Sequence, residues 1–326
     1  MRMSEKKVRN ELKLTGQLVS LMSGVTMERE QLEKADKAFQ AMASGKWFSL
    51  KTAMRQEYIQ REDGSVLRIC VVTRRGQKPR NACGLLWIHG GGYGIGLPEQ
   101  CGVFADRLVE DETTVMVLPD YRKSYEAPYP AALDDCYLTL MWMIVNHERL
   151  GIRSDQIFTG GESAGGGLAA ALCMYARDKG EVSIAFQMPL YPMIDDRLTE
   201  SNTGNKAPVW NSEMNDAAWK LYKGEQEEVS VYCAPARQTD YTDLPAAFTI
   251  VGSLEPFHDE VLTYVQNLYK ADVPVMHKVF EDCYHAFDML KPNSKAGKKA
   301  AELEKQAFRF AKAHFFAKQP YENNKG

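Results

Sequence analysis

The segment Gly161–Gly165, which reads GESAG, constrains the fold of this 326-residue chain more than any other feature. It follows a short apolar run at Gln156–Thr159 and precedes a helical pattern at Leu168–Arg177. Glycines on both sides of Ser163 remove side chains that would clash in a tight turn. A G-x-S-x-G pattern between a strand and a helix predicts a sharp turn that presents the serine hydroxyl as a nucleophile. The alternative is a glycine-rich turn that merely connects a strand to a helix.

Strand and helix patterns alternate along most of the chain. Two strand patterns, Arg55–Gln60 and Val66–Thr73, flank Asp63-Gly64, which is a strong hairpin signal. Beyond them, apolar runs alternate with helical stretches, which predicts βαβ units and a mostly parallel sheet of the α/β class. The further strand patterns are Gly84–Ile88, Thr114–Leu118, Ile184–Leu190, Ala247–Val251 and Val275–Phe280, and the helical ones are Pro130–His147, Asp259–Tyr269 and Lys298–Ala317.

The N-terminal residues have helical rather than strand spacing. From about Glu5 to Gly45, apolar residues recur three or four positions apart, which predicts two helices that each have one apolar face. The first predicted face holds Leu14, Leu18, Leu21 and Met22, and the second holds Leu32, Ala35, Phe39 and Met42.

A second region also departs from the alternation. Residues 195–240 carry no clear strand pattern and hold several aromatic side chains among polar ones. Connections of this length in compact domains are usually functional or disordered. We therefore predict a helical cap formed by residues 1–50 and 195–240, on a core formed by residues 51–194 and 241–326. The alternative for 195–240 is an ordinary connection with one extra helix.

Composition and charge argue against several kinds of partner. The formal net charge is −3 and no basic stripe is present, so a nucleic-acid partner is not expected. No stretch approaches the roughly 18 consecutive apolar residues that a membrane helix needs. Met1–Gly24 has no apolar core of the kind found in signal peptides. The seven cysteines form no C-x-x-C pair, which is typical of buried thiols rather than disulfides or zinc ligands. We expect a cytoplasmic protein with no membrane partner and no bound metal.

A glycine run follows the strand pattern Gly84–Ile88. The segment His89–Tyr93 reads HGGGY, and its glycines let backbone amides face a ligand with no Cβ in the way. Acyl transfer needs such donors for the negative charge that develops on the carbonyl oxygen, and the amide of Ala164, directly after Ser163, is a further donor. A phosphate-binding loop is the competing interpretation, but neither G-x-G-x-x-G nor G-K-[ST] is present at this loop. We interpret His89 as a structural histidine.

These motifs together resemble a known family. HGGGY at 89–93, DYR at 120–122 and GESAGG at 161–166 are similar, in this order, to the motifs of the hormone-sensitive-lipase-like esterases. Pro128–Asp135 resembles the P-x-P-A-A-x-x-D stretch that the family carries between its two glycine motifs. The resemblance covers about His89–Phe287. It implies the α/β-hydrolase fold, an N-terminal helical cap and, in some members, homodimers through the last strand.

The resemblance also implies roles for single residues. By position, the oxyanion donors would be the amides of Gly91, Gly92 and Ala164. The family implies short acyl esters as substrates, cleaved without interfacial activation.

A nucleophilic serine needs a base within hydrogen-bond reach. Among six histidines, His285 is the candidate, because it follows the last strand pattern in a loop, at the end of the Ser, acid, His order that this fold uses. The other histidines precede the serine or lie within or at the start of predicted strands and helices. The family pattern at this loop is usually H-G-F, and Ala286 replaces its glycine here.

The acid that orients this base has three candidates. Gly252–Glu260 resembles the family's G-x-x-D-P-L-x-D-E stretch, and Glu255 stands at its first acidic position, where aspartate is usual. A glutamate there is tolerable if the backbone adjusts, because its carboxylate can still orient the imidazole. Asp259 reads as a first-turn acid of a helix, and Asp195 follows an earlier strand end. We predict Glu255 and keep Asp259 and Asp195 as alternatives.

These assignments predict a serine carboxylesterase that hydrolyses small, short-chain acyl esters. Ser163 would attack the ester carbonyl, His285 would accept its proton, and Glu255 would hold His285 in the correct tautomer. The reaction needs neither a metal nor an organic cofactor. A non-catalytic ligand receptor on the same fold and a hydrolase of amide or peptide bonds are the alternatives.

Four bulky side chains have two interpretations. They line the substrate pocket and limit the acyl group, or they pack the cap onto the sheet. These residues are Tyr93, Trp210, Met214 and Trp219.

Overall fold

One eight-stranded sheet runs through the part of the chain that the computed structural model describes, residues 8–22 and 28–321. Its strands are β1 (Thr52–Gln60), β2 (Val66–Arg74), β3 (Ala82–Ile88), β4 (Thr114–Pro119), β5 (Ile152–Glu162), β6 (Phe186–Leu190), β7 (Ala246–Gly252) and β8 (Val275–Phe280). They lie in the order β1-β2-β4-β3-β5-β6-β7-β8. Neighbours from β4 to β8 pair in parallel, whereas β2 pairs antiparallel with both β1 and β4. The predicted mostly parallel sheet is confirmed.

Helices cover the sheet and precede it in the chain. Those within the described residues are α1 (Lys13–Met22), α2 (Arg29–Ala43), α3 (Gly102–Leu108), α4 (Ala131–Val145), α5 (His147–Leu150), α6 (Ala164–Lys179), α7 (Ser212–Lys223), α8 (His258–Lys270), α9 (Phe287–Leu290) and α10 (Lys295–His314). The predicted strands and helices overlap these elements, and the predicted hairpin at Asp63-Gly64 joins β1 to β2. The sequence patterns did not predict α3, which is only seven residues long.

The central strands are buried on both faces. Every residue of β3, β4, β6 and β7 is buried, as expected of strands in a parallel sheet covered by helices. Strands β3 and β5 are neighbours, and Ile88 pairs with Gly161 at their carboxyl ends. The loop after β3 and the turn after β5 therefore begin side by side at the same edge of the sheet.

The predicted apolar face of α1 is wrong. Leu14 and Leu18 are 65% and 50% exposed, and Leu12 and Gly16 are buried instead. Gly16 lies so close to the ring of Tyr284 that a Cβ would stand 2.8 Å from its Cε1 atom. The close approach of the glycine backbone, rather than the leucine stripe, determines which side of α1 faces the protein. The side chains of Leu21 and Met22 lie outside the described residues.

Helix α2 buries one apolar and one charged residue. Leu32 and Asp36 are fully buried, whereas Met42, at the end of the predicted apolar face, is exposed. The assignment of residues 1–50 and 195–240 to one cap stays a prediction. Residues 1–7 and 23–27 of that cap, and 322–326 of the predicted core, lie outside the described residues.

A buried ion cluster ties three helices together behind β6. Arg107 of α3 lies 2.6 Å from Asp288 of α9 and 2.9 Å from Glu304 of α10. The hydroxyl of Tyr191 donates to the second oxygen of Asp288 at 2.8 Å. Burial raises the pKa of Glu304 to about 7. The two carboxylates are tolerated in the interior because one guanidinium and the tyrosine hydroxyl hydrogen-bond to them.

Each of the seven cysteines is a buried free thiol. Within residues 8–22 and 28–321, none of the helices has the length and apolar content needed to span a bilayer.

Arg107→Ala would leave Asp288 and Glu304 buried without their cation. We expect the free energy of unfolding to fall by about 3–5 kcal/mol, the usual cost of removing one partner of a buried ion pair. Urea unfolding followed by circular dichroism measures this change. Arg309→Ala is the matched control, because Arg309 pairs with Glu110 on the exposed side of α10. Its unfolding midpoint should stay close to that of the wild type. Equal midpoints for all three proteins would contradict a structural role for the buried cluster.

Candidate active site

Ser163 stands between β5 and α6 in a strained backbone conformation, with φ 60° and ψ −124°. Such a conformation costs about 1–3 kcal/mol and persists only where the surroundings hold it. The Ser163 amide donates to the carbonyl of Leu190, and the amide of Met193 donates to the carbonyl of Ser163, each at 3.0 Å. A Cβ on Gly165 would overlap the carbonyl of Ile88. The turn therefore requires glycine at this position.

Hydrogen bonds join Ser163, His285 and Glu255 in one chain. His285 Nε2 lies 2.8 Å from Ser163 Oγ, and His285 Nδ1 lies 2.6 Å from Glu255 Oε2. Glu255 is fully buried, and its Oε1 accepts a hydrogen bond from the Gly252 amide at 2.6 Å. Burial raises the pKa of Glu255, although the facing imidazole and the two hydrogen bonds favour the ionised form. Because the carboxylate accepts at Nδ1, the neutral imidazole carries its proton there and Nε2 presents a lone pair to the serine.

Two neighbouring loops bring the histidine and the glutamate together. The amide of Leu254 donates to the carbonyl of Cys283 at 3.1 Å, so the loop after β7 is bound to the loop after β8. Ala286, which follows His285, has a left-handed φ of 57°. Glycine adopts this conformation freely, whereas alanine does so at a cost of about 1 kcal/mol. This accounts for the glycine that the family usually has after the histidine.

The alternative acids lie elsewhere. Asp259 accepts from the Ser201 amide at 2.7 Å and lies 2.8 Å from His258 Nδ1. Asp195 pairs with the Arg197 guanidinium at 2.7 Å. The structure therefore brings Glu255, rather than Asp259 or Asp195, to the catalytic histidine candidate.

Positive φ angles shape the glycine loop after β3. Gly91 and Gly92 have φ values of +123° and +58°, and a Cβ on Gly91 would overlap the carbonyl of Ile95. The carbonyl of Gly91 accepts from the amides of Gly94 and Ile95, both at 3.1 Å. Within the described part of the chain, the amides of Gly91 and Gly92, and that of Ala164 at the start of α6, donate to no acceptor. Such free donors can bind an oxygen that carries negative charge.

Residues 85–289 match the model of a family described by its alpha/beta hydrolase fold. The chain belongs to this α/β-hydrolase family. The matched range contains the GESAG turn, the glycine loop and the three hydrogen-bonded side chains. The predicted fold and the resemblance to hormone-sensitive-lipase-like esterases are thereby confirmed.

Named relatives and solved structures agree with this placement. Esterase LipI of Mycobacterium tuberculosis is 32% identical over 196 residues, which are 59% of this chain and 61% of LipI. Carboxylesterase NlhH of the same species is 31% identical over 198 residues, 59% of this chain and 62% of NlhH. The match thus spans about three fifths of the length of these relatives.

The structural similarity extends further along the chain. The solved structure of a bacterial heroin esterase superposes with a TM-score of 0.84 and 30% identity, and the match covers 94% of this chain and 98% of that one. Esterase LipW from Mycobacterium marinum superposes with a TM-score of 0.77 and 27% identity, covering 94% and 96% of the two chains.

Glu162, the residue before the serine, is a feature of the site that the motif alone did not reveal. Its carboxylate is buried and accepts from the Gly90 amide and from Trp87 Nε1, each at 2.8 Å. Burial raises its pKa to about 7, although both hydrogen bonds oppose the shift. Glu162 therefore links the serine turn to the glycine loop. A charged residue at the buried end of a strand was the available signal.

His89 lies behind the glycine loop rather than beside the serine. Its Nδ1 is 2.8 Å from the carbonyl of Gly90, and its ring stacks on Tyr121 at 4.2 Å between centroids. Burial, with Lys123 nearby, lowers the pKa of His89 to about 3. A neutral, stacked imidazole that binds the loop backbone fits the structural interpretation made from the sequence.

The predicted pocket residues fall into two groups. Tyr93 is buried, donates to the carbonyl of Met193 at 2.6 Å and stacks on Tyr222 of α7 at 3.7 Å between centroids. The Trp219 ring lies 5.5 Å from the Tyr93 ring between centroids. The contact between Tyr93 and Trp219 therefore packs α7 onto the glycine loop. Trp210 lies 6.4 Å from the His285 ring, on the catalytic side. Met214 is half-buried on α7. A lining role for these four residues stays a prediction.

Glu162→Gln tests the cost of burying this carboxylate. The usual pKa of 4.5 applies to the unfolded chain, and the folded value is about 7. Between these pH values the Glu162 carboxyl is ionised in the unfolded chain but still protonated in the folded protein. The free energy of unfolding of the wild type therefore falls as pH rises. Relative to the variant, we expect the free energy of unfolding of the wild type to fall by about 3 kcal/mol from pH 4.5 to 7 and to level off above pH 7.

Urea unfolding at several pH values measures this difference. Glu302→Gln, on the exposed face of α10, is the control and should show no such trend. A constant difference between wild type and Glu162→Gln would mean that folding does not raise the pKa of Glu162.

Proposed function

We propose that this protein is a serine carboxylesterase that hydrolyses short-chain acyl esters. The observation that carries the proposal is the continuous hydrogen-bonded chain from Ser163 through His285 to Glu255. A hydroxyl, an imidazole and a carboxylate in this order are the arrangement that activates serine for attack on an acyl carbon. The free amides of Gly91 and Gly92 beside it supply the complementary donors.

The first half of the reaction forms an acyl-enzyme. Ser163 Oγ attacks the ester carbonyl carbon while its proton passes to His285 Nε2. The carbonyl oxygen gains a negative charge, which the amides of Gly91, Gly92 and Ala164 stabilise. Collapse of this tetrahedral intermediate expels the alcohol, which takes the proton back from His285.

The second half releases the acid. Water attacks the acyl carbon, gives its proton to His285 Nε2 and forms a second tetrahedral intermediate on the same donors. Return of this proton to Ser163 Oγ frees the carboxylic acid and restores the serine. Throughout, Glu255 stabilises the imidazolium that forms transiently and keeps the ring orientation, because its other oxygen is held by the Gly252 amide.

Two sources support an ester over other acyl bonds. The relatives and solved structures at about 30% identity are named esterases or carboxylesterases. The family's known substrates, as the sequence resemblance implies, are short acyl esters. Within the structure, the large ring of Trp210, 6.4 Å from the His285 ring, favours a small acyl group, since it occupies space that a long chain would need.

The cellular setting and assembly are also proposals. Seven buried free thiols support a reducing compartment such as the cytoplasm. Strand β8 forms one edge of the sheet and exposes Met276, His277 and Lys278. This unpaired edge supports the homodimer that the family resemblance implies.

A p-nitrophenyl ester series from acetyl to palmitoyl tests the activity. We expect the wild type to cleave acetyl and butyryl esters fastest, and the rate to fall steeply with longer chains. Ser163→Ala should lower kcat by a factor of about 10³ or more and remain folded by circular dichroism. If the folded wild type cleaves none of these esters, the esterase proposal is wrong. A ligand receptor or a hydrolase of amide bonds would then be the better hypothesis.

Alanine variants of the three carboxylates test the choice of acid. Glu255→Ala should lower kcat by about 10³-fold or more, because His285 loses both its tautomer and its orientation. Asp259→Ala, in the first turn of α8, and Asp195→Ala should each stay within about tenfold of the wild type. Kinetics at pH 7.5 with p-nitrophenyl acetate distinguish the three. A larger loss for Asp259→Ala or Asp195→Ala than for Glu255→Ala would overturn the assignment.

A further inference from the structure

Helix α2 contacts the glycine loop Gly90–Gly96 through two of its buried side chains. The amide of Gly96 donates to Asp36 Oδ1 at 2.8 Å. Two residues earlier, a Cβ on Gly94 would overlap the Cδ2 atom of Leu32. Leu32 and Asp36 are four residues apart and fully buried, so they lie one turn apart on the same face of the helix. The helix therefore contacts the loop at two adjacent points.

The Asp36 carboxylate joins three segments of the chain. Besides the Gly96 amide, it accepts from the Tyr125 hydroxyl at 2.9 Å and from Gln40 Nε2 at 2.7 Å. Tyr125 follows β4, and Gln40 is one helical turn further along α2. A fully buried carboxylate is costly unless donors compensate for the water that it loses. The hydrogen bonds to this carboxylate therefore fix the relative position of α2, the glycine loop and the segment after β4.

The loop is thus held at both ends. At its start, the amide of Gly90 donates to Glu162, the neighbour of the catalytic serine, and at its end Gly96 donates to Asp36. The amides of Gly91 and Gly92 lie between these two points. Oxyanion donors act through preorganisation, and a displacement of about 1 Å at a reacting centre can reduce the rate by about 100-fold.

We propose that Asp36 is a positioning residue of the oxyanion hole. Its hydrogen bond to Gly96, together with the contact of Leu32 with Gly94, holds the amides of Gly91 and Gly92 in register with Ser163. The inference rests on the proposed esterase function, since only a reaction with an oxyanion requires these amides to be aligned. It gives α2 a part in positioning the reacting groups.

Asp36→Ala tests this role. The substrate is p-nitrophenyl acetate, and each rate is divided by the concentration of active sites obtained from a complete active-site titration. We expect kcat to fall by about 10- to 100-fold while KM changes by less than about threefold. Affinity for a trifluoromethyl ketone, whose serine adduct carries an oxyanion, should fall by a similar factor. Loss of folded protein alone lowers the number of titrated sites but moves neither kcat per site nor this affinity.

Three further variants make the result specific. Asp36→Asn should recover most of kcat, because its side-chain oxygen still accepts from the Gly96 amide. Glu33→Gln is the matched control on the same helix, since Glu33 pairs with Lys37 on the exposed side, and should retain wild-type kinetics. Leu32→Ala removes the second contact and should lower kcat several-fold at nearly constant KM, so it decides the question if Asp36→Ala does not fold.

The outcomes separate this inference from the proposed function. If the wild type is active and Asp36→Ala has an unchanged kcat per site, the positioning role is overturned and the esterase proposal stands. If Asp36→Ala does not fold, an unchanged kcat per site in Leu32→Ala has the same meaning. A loss that is entirely in KM, or an unchanged affinity for the ketone, would overturn it as well. A wild type that hydrolyses no ester would instead remove the proposed function.

Discussion

The close contact between two backbone segments at the carboxyl edge of the sheet is the constraint on which the rest of the site depends. Strands β3 and β5 are neighbours, so the glycine loop and the serine turn begin side by side. A Cβ on Gly165 would overlap the Ile88 carbonyl, and one on Gly90 would stand 2.8 Å from the Glu162 carbonyl. Because glycine permits this approach, two segments that are distant in the sequence come together at Ser163.

Buried carboxylates then fix the geometry that the glycines allow. Glu162 and Asp36 hold the two ends of the glycine loop, and Glu255 holds His285. Each accepts short hydrogen bonds from backbone amides, which are directional and strong in an interior with little water. Burial disfavours the charged state of a carboxylate, and the pKa of Glu162 and of Glu255 is raised for that reason. The glycine loop and His285 are thus held in defined positions, and burial of the carboxylates lowers the folding stability.

Much of the framework could be predicted from local patterns, and the errors have physical causes. Strands β3, β4, β6 and β7 follow apolar runs because the sheet is covered on both faces there. The apolar face of α1 was wrong, because a tight contact between Gly16 and Tyr284 outweighs the burial of Leu14 and Leu18. Asp36 was missed because an acidic residue in a helix normally faces water, and nothing in its local sequence indicates that Gly96 and Tyr125 lie within reach.

The amino-acid sequence by itself determined which residues are the candidates for the chemistry and in which order they occur. Ser163, Glu255 and His285 follow strand ends, and glycines stand where the backbone must turn tightly, because these features depend on short stretches of chain. Only the tertiary structure decided which acid meets His285. Glu255 and Asp259 are four residues apart, but Glu255 contacts His285 and Asp259 contacts His258. It also decided that α2 reaches the glycine loop. Such contacts join segments far apart in the chain, and they form only when the whole core packs.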